Sequence, residues 1–163
     1  MPQEAAGKTG VPSDARAKPE RPRDELGRPL PWDAPTRLRL PDFDAMSLED
    51  NDRVAREFLA GQNYFGAHEA WETAWKQAKG TGDEELFKGL SQLGAGYVHL
   101  LRGNAHGATT LLRRGASRVG AYPMGARGID TRALARRLEA DANAIDEGTL
   151  LPGPQAALQP PDV

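Results

Sequence analysis

Proline placement constrains this chain more than any other feature. Eight of its 13 prolines fall in residues 1–41 and four in residues 152–161, and only Pro123 lies between them. Proline lacks a backbone N–H, and its ring clashes with the preceding turn, so helices are confined to stretches without it. The middle of the chain is therefore where regular structure can form. A chain of 163 residues is long enough for one domain with a real core.

Within that middle the apolar residues recur at helical spacing. Ser47-Leu48-Glu49-Asp50 has the spacing of a capping box and opens a first helix, with Val54, Phe58 and Leu59 inward and Gly61 as its stop. Tyr64, His68, Trp71, Trp75 and Ala78 share one face of a second helix. A third, from about Asp83 to Arg102, carries Leu86, Phe87, Leu90, Leu93, Tyr97 and Leu101 on one stripe and Gln92, Ala95, Gly96 and His99 on the other. Small residues on that second stripe predict a close neighbour and a central, mostly buried helix. Asn104 opens a fourth helix running to about Val119. Asp130 or Thr131 opens a fifth, which Gly148 closes. No alternating strand pattern occurs. The expected fold is all-α, a compact bundle of about five helices over residues 44–148.

The ends are read differently. Residues 1–22 are polar and proline-rich and are expected to be disordered, as is the tail, 149–163. Residues 23–43 hold apolar groups among prolines at 29, 31, 35 and 41, an extended arm that docks with Trp32 as its anchor.

Absence of cysteine excludes disulfides, thiolate metal sites and cysteine nucleophiles, so any metal takes nitrogen and oxygen ligands. No apolar run approaches the ~20 residues of a membrane span, and the first ten residues lack a signal-peptide core; a cytoplasmic location is expected. The net charge of -2 conceals blocks: residues 41–101 sum to -6, 102–137 to +7 and 138–163 to -5. These blocks either neutralise one another within the fold or leave an anion-binding basic face. The basic stretch contains one aromatic, Tyr122, and no nucleic-acid reading motif, so nucleic acid is not the expected partner. No phosphate-binding glycine loop is present, which argues against a nucleotide cofactor.

One polar group stands out. On a helical wheel at about 100° per residue, Glu72 lies about 40° from His68, inside the aromatic arc, and Glu69 lies at its edge. A buried carboxylate needs a compensating partner. Candidates are His68, Arg53, Arg56 or a divalent metal ion, with His99 and Gln92 of the third helix supplying further groups. The ligand set under this reading is His68, Glu72 and His99, supported by Glu69, Gln92 and Trp75. The competing reading is a buried hydrogen-bond network that fixes helix register and catalyses nothing. The spacing is not the His-Glu-x-x-His zinc motif, because position 72 is Glu.

The segment YFGAHEAWETAW (64–75), together with LFKGLSQLGAGYVHLLRGNAHGATTLL (86–112) and GID (128–130), resembles the bacterial and archaeal family known as domain of unknown function 309. Its hallmark, H-x-x-x-E-x-x-W or Y, corresponds to His68, Glu72 and Trp75. RPRDELGRPLPW (21–32) is similar to an arm ahead of the domain in actinobacterial members. The resemblance implies a compact all-α fold and a suspected metal-binding role for His68 and Glu72; it supplies no reaction and no catalytic residue. Two functions stay open: a metal-binding helical domain, and a non-enzymatic interaction domain whose arm and basic face contact a protein partner or a second copy.

Overall fold

Four of the five helices start at a side chain that satisfies the first turn. A computed structural model describes residues 20–163. It contains α1 (Leu48–Ala60), α2 (Tyr64–Gln77), α3 (Glu84–Leu101), α4 (Ala105–Gly120) and α5 (Thr131–Glu147), with short 3-10 turns at Phe43–Ala45 and Ala126–Gly128. Ser47 Oγ accepts from the Asp50 N–H, Asn63 Oδ1 from Gly66, Asn104 Oδ1 from Gly107 and Asp130 Oδ1 from Ala133, at 2.8–3.1 Å. Each bond meets a donor that has no partner within the helix. α5 ends at Gly148, whose φ of 78° is a left-handed conformation open to glycine. Among the described residues the extended structure is a single bridge, between Arg23 and Pro29.

Each helix packs chiefly against its sequence neighbours, with α3 between α2 and α4. Leu86, Phe87, Leu90, Leu93, Tyr97 and Leu100 of α3 are fully buried. The small residues of α3 are what let the neighbours approach. A Cβ on Gly96 would stand 2.9 Å from the Leu112 side chain, and one on Gly94 would stand 2.9 Å from the backbone N and Cα of His68. The expectation of a central helix with a close neighbour therefore holds on two sides. α2 is rotated from the face the aromatics suggested. Ala67, Ala70, Trp71, Ala74 and Ala78 are fully buried, while His68 and Trp75 are half-buried.

Polar groups tie the elements together. The Trp71 indole N–H donates to Asp52 Oδ1 at 3.0 Å, and Arg56 clamps the same carboxylate with bonds of 3.1 Å to each oxygen. Tyr122 O–H donates to the Gly82 carbonyl and accepts from the Leu86 N–H. The loop after α4 thus closes the first turn of α3.

Four of the eight arginines in the basic block pair with the acidic blocks. Arg113 reaches Asp146 and Glu139, Arg118 reaches Glu85, Arg127 reaches Asp83, and Arg137 reaches Asp141.

The tail departs from its expected behaviour, and the arm docks as expected but through a different anchor. Residues 1–19 of the stretch expected to be disordered lie outside the described residues. The tail packs on the domain: Leu150 and Leu158 are buried, the Gly153 N–H donates to Leu100 O at 2.8 Å, and Arg137 donates to Gln159 O. The Gly153 bond gives a second donor to a carbonyl in the last turn of α3, where helix carbonyls lack partners within the helix.

The arm docks, but its anchor is Arg23 and not Trp32. Residues 22–30 form a tight loop closed by Leu30 N–H to Pro22 O and by Asp24, whose carboxylate accepts from the backbone of Leu26 and Arg28. Arg23 is 7% exposed, lies 3.7 Å above the Phe65 ring and donates to Gly27 O. Gly27, at φ 76°, presses against the Cβ of Phe65 so closely that no side chain would fit. Trp32 is 61% exposed beneath the Arg21 guanidinium. The guanidinium stacks on Phe65 of α2 and closes the arm's own loop at Gly27, so one side chain both docks the segment and shapes it.

Candidate functional site

Ligand-type atoms of His68, Glu69 and Glu72 lie within 4.8 Å of one another on the half-buried edge of α2. The helix accounts for the grouping, because residues three and four apart share a face. His68 Nε2 is 3.6 Å from Glu72 Oε2, and Lys76 Nζ is 3.5 Å from the other oxygen.

The packing of α3 orients the imidazole. His68 Nδ1 lies 2.9 Å from the Ser91 carbonyl and 3.1 Å from Ser91 Oγ. A carbonyl only accepts, so Nδ1 carries the proton and Nε2 is left toward the carboxylates. The close approach at Gly94 is what brings the ring to Ser91.

Glu72 is not the buried carboxylate that the helical wheel implied. Its side chain is one-third exposed, and its partners are His68 and Lys76. Arg56 and Arg53, both candidates from sequence, pair instead with Asp52 and with Glu57 and Asp50. At Glu69, burial, reinforced by Glu72, raises the carboxyl above the usual range despite the opposing pull of His68.

His99 lies outside the group of three. Asn104 Oδ1 is engaged by the Gly107 N–H, so its Nδ2 faces His99 and donates to Nδ1 at 3.0 Å. A neutral His99 therefore keeps its proton on Nε2 and presents a donor there. Burial, then the charges of Arg102 and His68, hold this imidazole below its ordinary pKa of 6.5. Gln92 Oε1 is enclosed without a hydrogen-bond partner among the described residues. Trp75 packs against the core with Lys88 Nζ 5.2 Å from its ring.

The reading from sequence missed Ser91 as the group that orients His68, although a serine among the inward residues of α3 was a visible signal. It also missed a cleft beside Glu69. That cleft, about 950 Å³, lies between the arm, the start of α2, the end of α3 and Pro154 of the tail.

Residues 53–111 match the family described as Domain of unknown function (DUF309), a stretch that contains His68, Glu69, Glu72, Gln92 and His99. The chain resembles that family over about a third of its length. No curated protein matches the chain, and no solved structure does.

Proposed function

We propose that the chain is a divalent-metal-binding helical domain, with His68 Nε2 and the carboxylates of Glu69 and Glu72 as its protein ligands. The orientation of His68 carries the reading. A histidine that binds metal through one nitrogen typically donates its other N–H to a carbonyl or carboxylate, and the Ser91 carbonyl fills that role at 2.9 Å. The donor set fits the chemistry: one imidazole and two carboxylates suit zinc, manganese, iron or nickel. Neighbouring ligand atoms around such an ion are about 3–3.5 Å apart at usual bond lengths, close to the 3.6 Å between His68 Nε2 and Glu72 Oε2. Three protein ligands leave positions open, and an ion held so supplies a water of lowered pKa or a Lewis acid. His99 stands in this reading as a hydrogen-bond donor near the group and not as a ligand.

Metal content of untagged protein, measured by mass spectrometry for wild type, His68→Ala and Glu72→Ala, tests the proposal. A stoichiometric ion lost in both variants is the expected result. A metal-free wild type that gains no thermal stability from zinc, manganese, iron or nickel ends it. The alternative is an interaction domain in which the group only ties α2 to α3. It draws on the Ser91 bond and on the His68–Glu72–Lys76 run, which satisfy these side chains without an ion. Under it, His68→Ala lowers stability and changes no bound ligand.

A further inference from the structure

We infer that the cleft between the arm and the helical domain binds a small organic anion, a carboxylate or phosphate monoester on an apolar or planar body, with Arg23 and Arg102 gripping the charge. At about 950 Å³ the cavity is in the range of small-molecule sites. Its lining carries three guanidinium groups, Arg21, Arg23 and Arg102, against two carboxylates, Glu20 and Glu69.

One of those arginines, Arg23, is placed unfavourably unless an anion joins it, and Arg102 faces the same cavity. Arg23 is 7% exposed, and among the described residues no carboxylate lies within 4 Å of it; its partners are the Gly27 carbonyl and the Phe65 ring. Burial, then repulsion from Arg102, pushes its pKa down to about 10. Arg102 has no side-chain hydrogen bond or ion pair among the described residues, and its charge also acts on His99. Two like charges facing one cavity, one of them buried, define a place where a negative group is stabilised by both.

The rest of the wall suits an apolar body. Leu38, Leu40 and Leu101 line the cavity, and Trp32 stands 61% exposed at its side. An exposed tryptophan next to a cationic cavity is a stacking surface for a planar ligand. This site is separate from the proposed metal ligands except at Glu69, and it stands whatever becomes of the metal reading.

Full-length protein, titrated with phenyl phosphate in chelator-containing buffer and followed by the three tryptophan indole N–H resonances, tests the assignment. The expected result is a saturable shift of the Trp32 indole, with Kd in about the millimolar range or tighter. Inorganic phosphate should bind more weakly, and neutral benzyl alcohol should not bind. Arg102→Gln, an exposed position, should weaken phenyl phosphate at least about tenfold. Trp32→Ala, which removes the reporter and is followed by calorimetry, should weaken it by a smaller factor, and His68→Ala should leave it unchanged. The assignment is overturned if no saturable shift appears, if benzyl alcohol binds as well, if Trp71 or Trp75 shifts while Trp32 does not, or if folded Arg102→Gln binds like wild type.

Discussion

The Trp71 indole N–H donates to Asp52 Oδ1 across the α1–α2 interface, where Asn51 also donates to Gln77 Oε1. Asp52 is 8% exposed and Trp71 fully buried. Asp52→Ala would strand the indole N–H and leave the Arg56 guanidinium only its bond to the Arg127 carbonyl. Removing one partner of a buried bond to a charged group costs about 2–3 kcal/mol. Urea unfolding of the variant should show that loss with the slope of the transition unchanged; a loss under about 0.5 kcal/mol, the size of an ordinary surface effect, would mean the interface does not depend on the pair.

The glycine seam of α3 makes a sharper forecast. Alanine in place of a helical glycine normally gains about 0.5–1 kcal/mol. At Gly94 the new Cβ would meet His68 backbone atoms at 2.9 Å, and backbone cannot rotate aside. Overpacking of this kind costs about 1–3 kcal/mol, so Gly94→Ala should be destabilising on balance, and it should move His68 away from Ser91 and weaken any metal bound there. Gly82, where a Cβ meets nothing within 4 Å and φ is not positive, is the control. Gly82→Ala should be neutral or mildly stabilising in the same melts.

The arm should respond to Arg23 and not to Trp32. Arg23→Ala removes the stacking on Phe65 and the bond to Gly27 together. Trypsin cleavage at Arg37 and Arg39, each followed by leucine, should then accelerate several-fold while the helical core unfolds at nearly the wild-type temperature, because the arm opens as a local unit. Equal acceleration by Trp32→Ala would restore tryptophan as the anchor.

His99 gives the chain a pH-dependent contribution to stability. Its folded pKa is lowered by burial, Arg102 and His68, so between that value and 6.5 the unfolded chain holds more protons at this position. Stability therefore rises with pH through this window and levels off above 6.5. Melts of metal-free protein should show a shallower slope in His99→Gln than in wild type. An unchanged slope would assign the dependence to other groups.

The helices were legible in the sequence because caps and breakers are local chemistry. Ser47, Asn63, Asn104 and Asp130 each satisfy a first turn by a bond within three residues. The burial of α2 was less legible. The large aromatics pull the apparent apolar face toward His68, whereas the close-packed side is set by Ala67, Ala70 and Ala74, which carry little hydrophobic weight and matter because they let helices approach. Glu72 was therefore read as more enclosed than it is. His68 and Glu72 as neighbours were readable from spacing alone; Ser91 and the separation of His99 depend on contacts between helices. The tail and the arginine-anchored arm were hidden for a similar reason, since segments poor in apolar residues gain order from one or two long-range contacts that no local pattern announces.

The stretch matching the family holds all three proposed metal ligands but only four residues of the cleft wall: Phe65, Glu69, Leu101 and Arg102. The remaining wall comes from the two ends of the chain, Trp32 and its neighbours on one side and Pro154 on the other. Two chains with the same helical stretch and different flanking segments would thus share the His–Glu group and differ in what can lie beside it. Selectivity in such a design is written outside the domain, and exchanging the arms between chains would exchange it without touching a helix.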